Sequence, residues 1–400
     1  LRRVVILEDR INLIATSSFG IEAIVAGELR KLGYNDLNIK DGKVTFKAPV
    51  SGICRTNLWL RCADRVFLKM GEFEAETFDQ LFEGTKKIEW ERWIPKDAAF
   101  PVAGSCIRSK LMSISDCQSI IKKAVVERLK LRYKLNIFPE TGQRYKIVFW
   151  ILKDQVILAI DTSGDGLHKR GYRRRPTAAP LKETLACALL YISRWSEEKP
   201  LIDPFCGSGT IPIEAAMMGL NIAPGINRSF DSMNWVKIDS KLWTESGEEA
   251  RDLMHPENRL KIYGYDTDSD AIDACYFHAK EAGVDKTLHF QVRDMKQTSS
   301  RFEYGMIVTN PPYGDRLGNK TENIQLYRDM NKTFKTNLGT WSYYIITSDL
   351  DFERYFGEKA NKKRKLYNGG IMCYLYQYYR SKPPKRNSNS DETVNPSGCR

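Results

Sequence analysis

The segment LIDPFCGSGTIPIEAA, residues 201–216, reads as a short apolar strand, an acidic residue at its end, a glycine turn and a helix. Gly207 and Gly209 remove side chains where backbone must turn sharply or approach a ligand, at the strand-end crevice where open α/β sheets bind small molecules. A nucleotide-like cofactor is expected there. The loop lacks the Lys-Ser/Thr pair of a phosphate loop, and Pro212 stands where a dinucleotide-binding turn has its third glycine. Taken alone, Gly-x-Gly is also compatible with a tight turn that holds nothing.

Outward from this segment, residues 182–380 alternate strands and helices. LIDPF, KIYGYD, LHFQV, YGMIVTN and WSYYIIT are the strand candidates; KETLACALLYISRW precedes them as a helix, and further helices are expected over 209–219, 269–282 and 324–337. Such alternation predicts right-handed βαβ units and a doubly wound parallel sheet covered on both faces. KRKLYNG and IMCYLYQYY lie too close together for a helical crossover, so they are expected as an antiparallel hairpin at the sheet edge.

Two more strands end in carboxylates, KIYGYD in Asp266 and LHFQVRD in Asp294. At successive strand ends these can accept hydrogen bonds from ribose hydroxyls and an exocyclic adenine amine, which together describe an adenosine-shaped slot. Asp266 also reads as a cap of the following helix and Asp294 as a turn residue. The deciding feature is IVTNPPYG, residues 307–314, at the carboxyl end of the fourth parallel strand. Two prolines hold an extended backbone, so the Asn310 side-chain oxygen and the Pro311 carbonyl can converge as acceptors for a planar NH2 group. Tyr313 offers a ring on which a flat base or amide stacks.

The front of the chain carries two α+β units, at 12–71 and 73–163, the first with an Asp-Gly turn at Asp41 and Gly42. The second is built around a helix over 116–134 and a hairpin turning at Lys153 and Asp154. The stretch HKRGYRRRPTAAP, within 164–181, reads as a linker, and 381–400 as a disordered tail. The net charge is +12, and residues 101–180 hold 16 basic against 6 acidic side chains while the rest is nearly balanced. A localised basic block points to a polyanion. Its candidate contacts are Lys122, Lys123, Arg128, Lys130, Arg173, Arg174 and Arg175, with a solvated basic surface as the plainer reading. No apolar run reaches the length of a membrane span and the first residues do not read as a secretory signal, so the cytoplasm is the expected location. Nine cysteines without a CxxC pair are expected to be reduced core residues, and four histidines show no metal-ligand spacing, so no metal is expected.

The four features of residues 182–380, in their order, resemble the class I S-adenosylmethionine-dependent methyltransferases whose Asn/Asp-Pro-Pro-Tyr motif methylates amino nitrogens. That likeness implies a Rossmann-like sheet. It implies S-adenosylmethionine as cofactor, with Asp203 and the loop Cys206, Gly207 and Gly209 holding the methionine part, Asp266 the ribose, and Asp294 with Met295 the adenine. Residues 73–163 resemble a THUMP domain and 12–71 a small ferredoxin-like unit. HKRGYR at 168–173, APLKETLA at 179–186, the glycine segment and NPPYGDRL at 310–317 make the whole similar to the bacterial 23S ribosomal RNA N2-guanine methyltransferases. By that resemblance Pro180 to Thr184 complete the cofactor pocket, Asn310, Pro311 and Tyr313 are catalytic, and large-subunit ribosomal RNA or its precursor is the partner. A transfer RNA guanine-N2 or DNA adenine-N6 methyltransferase shares the chemistry. Asp203 and Asp266 are 63 positions apart, far more than a compact βαβ unit spans, so the insertion around IAPGINRSFDSMNW is expected to loop out.

Overall fold

The computed structural model describes residues 10–175, 181–312 and 320–380; Pro180, Tyr313 and the expected tail lie outside them. The front half contains β1 (Ile11–Thr16), α1 (Glu22–Lys31), β2 (Leu37–Lys40), β3 (Lys43–Ala48), α2 (Ser51–Trp59) and β4 (Arg65–Glu74). It continues through α3 (Phe78–Lys87), β5 (Val102–Ile107), α4 (Ile114–Tyr133), β6 (Ile147–Leu152) and β7 (Gln155–Asp161). The two expected α+β units share one seven-stranded sheet, ordered β2-β3-β1-β4-β7-β6-β5. β4 joins them: it pairs with β1 through residues 65–68 and with β7 through 67–74, with a register shift between Lys69 and Gly71. The expected boundary near residue 72 therefore falls inside a strand.

Local chemistry explains these elements. Lys153 and Asp154 both take positive φ, the mirror-image turn whose twist suits a hairpin. α4 starts on Ser113, whose side chain accepts from Asp116 N–H, and buries Cys117, Ile121, Val125 and Leu129 along one stripe.

The second half contains α5 (Glu183–Ser193), β8 (Leu201–Asp203), α6 (Thr210–Gly219), α7 (Ser240–Asp252), β9 (Ile262–Asp266), α8 (Ser269–Glu281) and β10 (Leu288–Val292). β11 (Met306–Thr309), α9 (Lys320–Asn337), β12 (Ser342–Thr347), α10 (Phe352–Phe356), β13 (Lys362–Asn368) and β14 (Ile371–Tyr378) complete it. The sheet order is β10-β9-β8-β11-β12-β14-β13, with β14 antiparallel to both neighbours as the hairpin reading requires. The chain starts at central β8, moves outward through β9 and β10, then returns to β11 on the other side. That reversal opens a crevice beyond the carboxyl ends of β8 and β11, the general ligand position of open α/β sheets.

The insertion between α6 and β9 leaves the sheet, but it is not a solvent loop. It packs on the front half. Arg55 of α2 makes a bidentate pair with Glu249 of α7 at 3.0 and 2.9 Å. Gly225 N–H donates to Leu58 O at 2.9 Å, so close that a Cβ on Gly225 would lie 2.7 Å from Asn57 O. Trp235 stacks on Tyr145, ring centroids 4.5 Å apart, and donates its indole N–H to Arg144 O at 3.0 Å.

The described part of the expected linker is also packed rather than free. Arg170 is buried, donating to Arg61 O and Leu167 O at 2.5 and 2.6 Å, with Glu214 of α6 3.5 Å away. Tyr172 hydroxyl donates to the same Glu214 at 3.0 Å. Arg170 reads as exposed in the sequence because its buried acidic partner, Glu214, lies far along the chain. One hydrophobic core runs through both halves, from Leu58 and Cys62 to Leu185 and Leu189.

If the insertion is cement and not a loop, Trp235→Ala should cost about 3–5 kcal/mol, the range for large aromatic truncations in a core. Urea unfolding measures it. A loss below about 0.5 kcal/mol, typical of exposed positions, would contradict this packing.

Candidate functional site

Asp203 ends β8, where its buried carboxylate accepts from the Thr309 hydroxyl at 2.6 Å and from Phe205 N–H at 3.2 Å. Burial pushes its pKa up to about 7, against the opposing pull of those two hydrogen bonds. Thr309 is the last residue of β11, so this contact joins the two strands at the sheet's reversal.

The glycine loop follows. Cys206 N–H donates to Tyr265 O at 2.9 Å, and Gly207 N–H donates to the Asp266 carboxylate at 2.9 Å. Gly207 and Gly209 have φ of +51° and +82°, which favours glycine, and a Cβ on Gly209 would press on Cys275 Sγ at 3.0 Å. A Cβ on Gly207 would meet nothing within 4 Å. From α8, Cys275 thiol donates to Gly207 O at 3.0 Å, and His278 Nδ1 lies 3.2 Å from Ser208 O. Cys275 and His278 are one helical turn apart and so hold the loop from one face.

A cavity of about 900 Å³ lies over this loop. It is lined by Asp203, Cys206, Gly207, Asp266, Asp294 and Met295, and also by Asn310 and Pro312. Six of the expected cofactor residues thus share one cavity with Asn310. Gly209 turns the backbone beneath it, and Pro311 is buried beside Asn310. Thr184, in the first turn of α5, is buried and does not line the cavity; from the same region Leu181 and Arg175 do. The alternative readings also have a place. Asp294 caps a short 3-10 turn by accepting from Lys296 N–H at 2.8 Å, while the cap of α8 is Asp268 and not Asp266.

Asn310 Oδ1 is a buried acceptor with no hydrogen-bond partner among the described residues. Such an atom is costly unless a ligand completes it. Among the described residues no group of three His, Cys, Asp or Glu side chains could hold a metal. The eight described cysteines are unbridged, seven of them buried.

The basic candidates divide. Lys122 is engaged by Phe100 O and Glu140 at 3.0 and 2.5 Å, Arg128 forms a fork with Glu91 at 3.0 and 2.5 Å, and Lys130 meets Glu127 at 2.9 Å. Lys123 is exposed, as are Arg132 and Lys134 on the same helix or at its end. Arg173 is mostly buried against Glu183 at 3.2 Å and Thr210 at 2.5 Å, and Arg174 pairs with Glu281 at 3.0 Å. Arg175 stacks over Phe277 at 4.2 Å.

Residues 170–377 match the family model described as the RMKL-like methyltransferase domain. The chain belongs to that family. Residues 12–67 match the RlmL ferredoxin-like domain and 75–161 the THUMP domain, so the front units of this RMKL-like methyltransferase are also placed. It is 47% identical over 94% of its length to Bacillus subtilis YpsC, which carries an RNA methyltransferase name, covering 97% of that protein. It is 34% identical to the ribosomal RNA large subunit methyltransferase K/L of Syntrophotalea carbinolica, of which it spans 54%. Among solved structures, SMU.472 complexed with SAH superposes with a TM-score of 0.88 at 42% identity, over 93% of this chain and 99% of that one. A Listeria monocytogenes protein described as an N6-adenine-specific DNA methylase superposes with a TM-score of 0.89 at 47% identity, over 93% and 97%. No helix among the described residues is long and apolar enough to cross a membrane.

S-adenosylmethionine is the cofactor of this RMKL-like methyltransferase. The residues present fit it: open space over Gly207, strand-end carboxylates for an ammonium and for ribose hydroxyls, and a cavity of small-molecule size.

If the cofactor's ammonium sits beside Asp203, as the family likeness implies, it selects the ionised carboxylate, and binding should expel the proton held at a pKa of about 7. Cofactor affinity should therefore be about tenfold higher at pH 8 than at pH 6, levelling above neutrality. Calorimetry across that range tests it. Asp203→Asn should weaken binding and flatten the profile; an unchanged slope in the variant would assign the titration elsewhere.

Proposed function

We propose that this protein methylates the exocyclic N2 amine of a guanine in 23S ribosomal RNA. The observation that carries the amine-methylation reading is Asn310 Oδ1, a buried acceptor without a partner among the described residues, on a residue that lines the same cavity as the glycine loop. The THUMP match and the large-subunit ribosomal RNA methyltransferase relative support RNA as the polymer.

When bound, the cofactor supplies an electrophilic methyl group on a sulfonium sulfur. The chain's residues do the rest by position. The target base is held out of its stack, with its amine between Asn310 Oδ1 and the Pro311 carbonyl and its face against Tyr313. Accepting the amine hydrogens draws the nitrogen lone pair out of conjugation with the ring and disperses positive charge as the N–C bond forms and the methyl's bond to sulfur breaks; the methylated nitrogen then releases one proton to water. No covalent enzyme intermediate is needed, so positioning supplies most of the acceleration. The Asp203–Thr309 contact at 2.6 Å sets the cofactor strand and the Asn310 strand in register for this step.

The exposed cations Lys123, Arg132 and Lys134 are the proposed phosphate contacts of the front half. Reversing all three should raise the RNA dissociation constant and make the slope of log affinity against log salt shallower by about 0.7–0.9 for each phosphate no longer neutralised. An unchanged slope would move the RNA face elsewhere.

Asn310→Ala should slow methyl transfer by about 10²- to 10³-fold while cofactor affinity stays within a few fold. Single-turnover transfer and calorimetry separate the two effects. The substrate itself is tested by comparing modified nucleosides of ribosomal RNA, transfer RNA and DNA from cells with and without the protein. N2-methylguanosine missing from 23S ribosomal RNA is the expected result; loss from transfer RNA, or of N6-methyladenine from DNA, would replace it.

A further inference from the structure

We infer that Arg175 receives the carboxylate of the cofactor's amino-acid end. Among the described residues, seven carboxylates line the cavity and only two cations do, Lys296 and Arg175. The seven suit the ammonium and hydroxyl groups of the ligand, but they oppose an incoming carboxylate, which must be met by a cation to leave water without a large cost. Lys296 is committed, its ammonium 3.0 Å from Asp329.

The three consecutive arginines differ in what they touch. Arg173 pairs with Glu183 and Arg174 with Glu281, whereas Arg175 has no ion pair among the described residues and reaches the cavity wall. Its guanidinium lies 4.2 Å over the Phe277 ring, on the helix α8 that also supplies Asp270, Ala271 and Ala274 to the cavity. The ring occupies one face of the guanidinium and leaves its N–H edge available, the edge that takes a carboxylate by two parallel hydrogen bonds. Lysine could not reproduce this fork. Arg175 also shares the cavity lining with Leu181, Thr210 and Ile211, with the glycine loop and the start of α6, where the family likeness puts the methionine part.

This assignment rests on S-adenosylmethionine as cofactor, and the test separates the two claims. S-adenosylhomocysteine and its decarboxylated analogue, which keeps the amine, are titrated calorimetrically into the full chain and into Arg175→Ala and Arg175→Lys. Arg175→Ala should weaken S-adenosylhomocysteine about 10- to 100-fold and leave the decarboxylated analogue within about twofold. Arg175→Lys should keep an intermediate affinity, since it retains charge without the fork. Equal losses for both ligands would make Arg175 a structural residue and overturn the proposal. So would an unchanged S-adenosylhomocysteine affinity accompanied by weaker RNA binding, which would return Arg175 to the RNA face. Failure of the unaltered chain to bind either ligand would overturn the cofactor reading itself.

Discussion

The site depends on the hydrogen bond that the Thr309 hydroxyl donates to the Asp203 carboxylate. It closes the point where the sheet reverses direction, between a strand that carries the glycine loop and a strand that carries Asn310. More than a hundred residues separate the two partners, and the strands they join bring the glycine loop and Asn310 to one cavity. Burial that raises the Asp203 pKa comes from the same closure, so the acidity of the site and its geometry share a cause.

Around this point the loop is held from several sides. Asp266 accepts from Gly207 N–H, and Cys275 and His278 reach its carbonyls from α8. Asp266 thus braces the loop in addition to the ribose role implied by the family likeness, and its remaining lone pairs stay available. A loop braced at its carbonyls and at an amide presents fixed dipoles to a ligand and needs little reordering when one binds.

The two halves are joined by packed contacts. Arg61, Arg170 and Glu214 lie buried at the junction, α7 packs on α2, and Trp235 stacks on Tyr145. Partners in such a junction add little net stability but penalise wrong arrangements, because a buried charge left unpaired is strongly unfavourable. Much of the local basic excess that marks the front half is consumed internally: Lys122, Arg128, Lys130 and Arg173 all meet acidic or carbonyl partners.

The sequence alone determined the alternation of strands and helices, the edge hairpin, the stripe of α4 and the short motifs at strand ends, because these follow from local periodicity and backbone sterics. It also marked Asn310 and the two glycines, whose chemistry is carried by neighbouring residues. What only the tertiary structure decided is pairing at a distance. That β4 fuses two units into one sheet, that the insertion after α6 docks instead of looping out, that Arg173 is consumed while Arg175 lines the cavity, and that Thr309, Cys275 and His278 support the loop all depend on contacts between remote segments. Charge and composition report what a side chain can bind; burial and the nearest opposite charge decide what it does bind, and those are properties of the folded chain.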